Sequence, residues 1–405
     1  MNEILNDKTT EATPEVEMEL NTDLALESII AEAMAETGLD DFGDESFMEG
    51  LIIYLRALEE EAQLSPLGLA VKRIRTVEIL SNRLRAHKIF QEHPQILEQE
   101  IRDPVFIIGL PRTGTTKLQR MIAADPNVAF LRYYQSHYPV PWEGVRVQDP
   151  DPRKVKADED NAVLKVENPE MFAGHPFISH EAEEETWILE HSYQSIMQHQ
   201  HTYVPSYMKW LSRQDPTRCF EETRDLLKLV QWQNDEVGKQ WILKCVLYNG
   251  DIDTVLKVFP NARFVCAHRP VEQQMVSWAS MMILVRTMLA PDMDPSLISH
   301  DILETYAEAM DRHLILRKTL PSDRIIDICY RDICDRPFEV IRRIYDFAGW
   351  QWTQSGEQAM AAWEAENRQH KHGKRGYTLE ETGLTEQEIR DRFTNYRRCF
   401  SRYLN

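Results

Sequence analysis

Apolar positions follow two rhythms along this chain. From Thr22 to His93 they recur every three or four residues, as in Leu24, Leu26, Ile29, Ile30 and Met34, the spacing of a helix that buries one face. Thr22 and Asp23 stand where a cap belongs and Gly38 where such a helix closes. The spacing predicts further helices over about 45–62 and 66–93, the last interleaving Arg and Lys with apolar residues. That basic face suits an anionic lipid surface, but solvated charge around an amphipathic helix explains it without a partner.

From Val105 the rhythm changes. Short runs of β-branched and other apolar residues, VFIIGL (105–110), WILKCV (241–246), RFVCAHR (263–269) and RIIDICY (324–330), are separated by helical stretches. Such runs are buried parallel strands. Their alternation with helices predicts a doubly wound α/β sheet with ligand sites at the strand carboxyl ends. Residues 1–21 are acidic and keep no period, which predicts a disordered tail. Residues 22–103 then form an N-terminal helical cap, and 104–405 one nucleotide-binding and catalytic domain.

With 42% apolar residues the 405-residue chain has ample core, while a formal charge of -20 excludes nucleic acid as a substrate, since phosphate backbones are held by clustered Lys and Arg. An anion site here must be a local positive pocket. Six cysteines without CxxC or metal spacing read as reduced thiols of a cytoplasmic protein. No run is long and apolar enough to span a membrane, and no signal pattern opens the chain.

One stretch, VFIIGLPRTGTTKLQRMI (105–122), runs strand, turn and helix, the order in which backbone N–H groups at a helix start hold a phosphate. Gly109 and Gly114 keep the Walker A spacing, but Thr115 stands where the phosphate lysine belongs. The cation lies earlier, at Arg112, whose guanidinium can fork onto a tetrahedral anion while Thr113, Thr115 and Thr116 offer hydroxyls. Farther on, Arg269 ends a strand and Ser277 follows eight residues later, about two turns into a helix, so both can converge on a second anionic group.

With these residues the chain resembles the bacterial sulfotransferases that use 3′-phosphoadenosine 5′-phosphosulfate (PAPS), in the branch with an arginine in the loop. The likeness runs over about 22–403 and continues through YRDICDRPFEVIRRIYDFAGW (330–350) and YTLEETGL (377–384). It implies a P-loop-like three-layer fold. It also implies that Pro111, Arg112, Thr113, Gly114, Thr115 and Thr116 bind the 5′-phosphosulfate, that Arg269 and Ser277 bind the 3′-phosphate, and that no metal is required. Lys374, Arg375 and Gly376 look like a reordered form of the family's basic turn over that phosphate, or an ordinary solvated turn.

Lys244 lies inside an apolar strand, where an unpaired ammonium is costly, and the resemblance makes it catalytic, facing the transferred group. Where the family pattern continues to a histidine, this chain has Cys245, Val246 and Tyr248, which leaves the base open. The cluster His175, His180, Glu183, Glu184 and His191 matches no HExxH motif, and acids at a helix start also serve the dipole. Related bacterial chains carry paired acids here, which makes Glu184 the candidate base with Glu183 and His180 as rivals. The aromatic and proline-rich stretch 132–153 suits either an acceptor pocket or a self-packed surface loop.

These readings predict transfer of a sulfuryl group to a hydroxyl or amine of a small molecule, lipid or glycan. A P-loop-type kinase and a non-catalytic member of the fold are the alternatives, and a homodimer is left open.

Overall fold

The computed structural model describes residues 20–367 and 376–404. The acidic tail up to residue 19, and Lys374 and Arg375 of the basic turn, lie outside the described residues.

Five parallel strands form the sheet: β1 (Arg102–Gly109), β2 (Val128–Phe130), β3 (Gln240–Lys244), β4 (Arg263–His268) and β5 (Ile325–Cys329), in the order β2-β3-β1-β4-β5. β1 lies at the centre because both its faces are covered; Val105, Phe106, Ile107 and Ile108 are wholly buried, each contributing roughly 1.5–3 kcal/mol of apolar burial. Ile107 pairs with Lys244 of β3 and Gly109 with Ala267 of β4, so the carboxyl ends of three strands are level. The chain crosses from β3 over β1 to β4, and that switch opens a crevice at these ends.

Helices cover both faces. The loop after β1 leads into α4 (Thr115–Ala123), whose Leu118, Met121 and Ile122 pack under the sheet, as the sequence spacing predicts. Ahead of the sheet stand α1 (Leu26–Thr37), α2 (Met48–Glu60) and the 27-residue α3 (Pro66–Glu92). Gly38 closes α1 in the left-handed conformation, and Ser65 caps α3 by accepting the Gly68 N–H. Asp23 does not cap α1 itself; it accepts the N–H of Ala25, and the helix begins one turn later than Thr22. The cap shares its core with Tyr193, Val204 and Tyr207 from the body of the chain.

After α4 come α5 (Tyr133–His137), α6 (Pro152–Glu167), α7 (Thr186–Leu189), α8 (Thr217–Gln233), α9 (Val271–Leu289), α10 (Pro295–Leu316) and α11 (Pro337–Ala348). The edge strand β2 departs from the sequence reading, which finds four strands. Three residues are too short for a periodic signal, and it is pairing of Val128 and Phe130 with β3 that makes them a strand. Stretch 132–153 is irregular as expected apart from the five-residue α5 and the first turn of α6.

Candidate active site

The loop between β1 and α4 is drawn tight against the sheet. Gly109 has φ 120°, and a Cβ there would lie 2.4 Å from the Ala267 carbonyl oxygen, so glycine is required. Asn249 grips both sides of this peptide, its Oδ1 accepting the Gly109 N–H at 3.0 Å and its Nδ2 donating to the Gly109 carbonyl at 2.8 Å. Arg112 occupies the left-handed region at φ 66°, a strained conformation for a residue with a side chain. Gly114 then caps α4 with no side-chain hydrogen bond to the first-turn amides, the arrangement in which a helix start can receive an anion.

Two distant parts of the chain meet at this loop, Arg112 within it and Arg269 with Ser277 more than 150 residues on. Arg112 donates Nε–H to Ser277 Oγ at 3.2 Å and Nη1–H to the Gly174 carbonyl at 2.9 Å. Arg269 donates Nη1–H to the Arg112 carbonyl at 2.9 Å and lies 4.5 Å over the ring of Tyr330. The Nε of Arg269 is buried with no hydrogen-bond partner among the described residues. A buried guanidinium N–H left unpaired beside an open helix start fits an anion.

The loop hydroxyls divide in their roles. Thr113 is buried and donates to the Leu110 carbonyl at 2.7 Å, bracing the loop from within. Pro111, Arg112, Gly114, Thr115 and Thr116 line a cavity with Arg269 and Ser277. Gly376 is exposed, and a Cβ there would meet no atom within 4 Å among the described residues, whereas its neighbour Tyr377 reaches the cavity wall.

Behind the loop lies an acidic triplet. Lys244 is fully buried, is ion-paired with Glu184, donates to Thr116 Oγ1 at 3.2 Å, and lies 3.8 Å from Glu183. Glu184 also accepts the Val246 N–H at 3.4 Å and lines the cavity. Glu183 is buried and accepts from Arg120 at 3.3 Å, with His175 Nε2 at 2.9 Å. Burial alone would raise its pKa, but His175, Lys244 and Arg120 outweigh that and hold the carboxyl well below the usual range. Glu185 has the opposite surroundings: it accepts the Lys244 backbone N–H at 3.1 Å, its other oxygen has no partner among the described residues, and burial pushes its carboxyl up to about 8. His180 is exposed and outside the cavity. Of the three sequence candidates for a base, Glu183 and Glu184 share a wall with Arg112 and Thr116, but Glu183 is buried and taken up by Arg120 and His175, whereas Glu184 is the more open of the two.

The cavity measures about 1140 Å³, above the roughly 300–1,000 Å³ of a pocket for one small ligand, which leaves room for two molecules side by side. Beyond the anion end its walls are mostly apolar, with Trp278, Met281, Met282 and Val285 from α9, Leu247 after β3, and Trp187 from α7. Tyr133, His137 and Tyr138 of the aromatic stretch contribute to the wall, whereas Tyr203, Tyr207 and Trp210 do not. Tyr248, which stands where the sequence comparison looked for a histidine, is buried against Phe106 and Phe220 and does not reach the site.

Sequence reasoning missed Asn249 and Glu185. Asn249 carries no motif; its signal is only a polar residue three positions before a helix that starts at Ile252. Cys266, His268 and Asp327 have metal-like spacing within 4.8 Å, but His268 bonds Tyr396 and Asp327, and Arg317 forks onto Asp327 at 2.9 and 3.1 Å. That cluster is a satisfied core network.

No curated relative matches the chain. Among solved structures it is similar to sulfotransferase STF1 from Mycobacterium tuberculosis H37Rv, with 29% identity over 93% of this chain and 100% of that one and a TM-score of 0.81. Sulfotransferase STF9 from Mycobacterium avium is 24% identical over 95% of this chain and 98% of that one, with a TM-score of 0.83, a likeness of fold. Strand, anion loop, Lys244 and Arg269 all fall inside residues 104–354, the span that matches the Sulfotransferase family, and with that match over more than half its length the chain belongs to the sulfotransferase family.

Proposed function

We propose that the protein transfers a sulfuryl group from PAPS to the hydroxyl or amine of an acceptor bound in the apolar part of the cavity. The observation that carries this reading is the meeting of Arg112, Ser277 and Arg269 above the open start of α4. A nucleotide with phosphates at both ends needs two cationic contacts on one side of its ribose, and this group supplies them. The donor provides a sulfuryl group on a phosphate leaving group. The α4 amides and the Arg112 guanidinium hold the 5′ end; Arg269 Nε and Ser277 Oγ hold the 3′-phosphate.

In-line displacement forms a bond from acceptor oxygen to sulfur as the bond from sulfur to phosphate oxygen breaks. Arg112, with Lys244 acting from behind Thr116, holds the negative charge that grows on the leaving oxygen. Glu184 takes the acceptor proton. Lys244 pairs with Glu184 and holds it at the cavity wall. With all six cysteines as free thiols, a reducing cytoplasmic setting fits the reading.

The test is calorimetric titration with adenosine 3′,5′-bisphosphate in magnesium-free buffer, followed by turnover with sulfur-labelled PAPS and a cell extract as acceptor source. Failure of the nucleotide to bind would overturn the donor assignment; binding without any labelled product points to a non-catalytic member of the fold.

A further inference from the structure

The cavity has a second polar end that the sulfuryl chemistry does not use. Along α3, Lys72, Arg75 and Glu78 line its wall, facing Glu190 after α7 and His201. Glu190 lies six residues beyond Glu184, about 9 Å at the helical rise, so this end is separate from the wall that carries Glu184. Trp187 stands between the two ends, its ring 4.1 Å from His137 and 4.9 Å from His201.

Cations at this end are compensated with one exception. Arg75 pairs with Glu190 at 2.9 Å and Arg286 with Asp301 at 2.7 Å. Lys72 makes no ion pair and no side-chain hydrogen bond among the described residues, although it is half-buried on the cavity wall. Burial draws its ammonium down to about 8, with Arg75 and Arg286 acting in the same direction and Glu190 against them. His201 beside it adds no second positive charge: burial first, then Lys72, Arg286 and Arg75, push it down to about 3 and keep it neutral. Three ammonium donors that no described side chain accepts from are thus available at this polar end to a ligand oxygen.

The apolar surface between the two ends also continues outward. Val71 and Ile74 of α3 and Met288 of α9 line the cavity and are exposed at the same time, so its mouth is apolar. Met281, Met282 and Met288 give the α9 wall unbranched side chains that adapt to an irregular hydrocarbon body.

We propose that the acceptor is an amphiphile with two functional ends: a hydroxyl presented to Glu184, and a carboxylate on the far side of an apolar body that Lys72 receives. This rests on the sulfotransferase reading for the role of Glu184, but the recognition by Lys72 is tested by binding alone. The probes are ω-hydroxydecanoate, ω-hydroxylaurate and ω-hydroxypalmitate, each against the diol of the same length, titrated below micelle formation while the fluorescence of Trp187 and Trp278 is followed.

For at least one chain length the wild-type protein should bind the acid about tenfold more tightly than the diol, the discrimination expected of one charge-assisted hydrogen bond. Lys72→Met should abolish that preference with diol affinity unchanged, and Lys72→Arg should restore most of it. Adenosine 3′,5′-bisphosphate should bind all three proteins equally, which shows that each is folded. Equal affinity for acid and diol, absence of binding by every probe, or a preference that survives Lys72→Met would overturn the proposal. Should the bisphosphate fail to bind the wild type, the donor reading falls while the comparison of acid with diol still decides the role of Lys72.

Discussion

Arg112 Nε lies 3.2 Å from Ser277 Oγ, while the Arg112 carbonyl accepts from Arg269 at 2.9 Å, so the loop arginine binds both members of the second anion motif. Two motifs more than 150 residues apart in sequence thus form one cationic unit. The two partners differ in how they serve it. Ser277 meets the Arg112 side chain, whereas Arg269 holds the loop backbone in its left-handed turn.

Removing either partner should therefore have distinguishable effects. Ser277→Ala should weaken adenosine 3′,5′-bisphosphate by about 1.5 kcal/mol and leave adenosine 5′-monophosphate nearly unchanged. Arg269→Ala should weaken the bisphosphate by about 3 kcal/mol and the monophosphate measurably, because the loop loses its brace. Titration calorimetry with both nucleotides checks this. Equal losses for the two nucleotides in Ser277→Ala would remove the 3′-phosphate assignment.

The acidic triplet separates by substitution. Glu184→Gln keeps size and hydrogen bonding but removes basicity, so kcat should fall by about two to four orders of magnitude with donor affinity unchanged. Glu183→Gln breaks a buried network with Arg120, His175 and Lys244, and should cost about 3–5 kcal/mol of stability in denaturant unfolding. His180→Gln, at an exposed site, should alter neither. Retention of wild-type kcat by Glu184→Gln on a true acceptor would place the base elsewhere.

Glu185 carries a signed pH dependence. Its folded pKa, raised to about 8 by burial, exceeds the 4.5 of the unfolded chain. The folded protein therefore keeps a proton that the unfolded chain releases, and the associated stability, complete below pH 4.5, is lost as pH rises through 8. Glu185→Gln has no proton to lose. Its stability relative to wild type should rise between pH 5 and 8, with a slope of up to about 1.4 kcal/mol per pH unit, in urea melts at fixed salt. A flat difference across that window would show that Glu185 is ionised in the fold.

The residues that announced themselves in sequence are those whose chemistry conflicts with their surroundings. Lys244 inside an apolar strand and Arg112 between two glycines are anomalies of pattern, and both lie in the same small region of the fold. The parallel sheet was legible because its central strands are buried on both faces and leave unbroken apolar runs. What could not be read was direction. Glu183, Glu184 and Glu185 are adjacent and chemically identical, yet one is buried and clamped by Arg120 and His175, one is paired with Lys244 at the cavity wall and one is buried half-unpaired; only packing tells them apart. The contribution of α3 to the cavity wall was hidden for a similar reason. Lys72 and Arg75 fit the rhythm of a solvated basic face, and it is the return of α7 and α9 against α3 that encloses them.

Turnover should survive chelation. A kinase needs magnesium to bridge its phosphates and neutralise the charge that develops there. Here Arg112, Arg269 and Lys244 place three basic side chains around the loop, and the hydroxyl a metal would draw on at the start of α4, that of Thr116, already accepts from Lys244 at 3.2 Å. Sulfuryl transfer measured in excess EDTA should therefore proceed at the rate of the untreated protein, and added magnesium should change kcat by less than about twofold. Lys244→Met should lower kcat steeply under both conditions, because the missing charge is the protein's own. Loss of turnover on chelation, restored by magnesium, would show that the cations of the loop do not suffice and would move the chemistry towards that of the P-loop kinases.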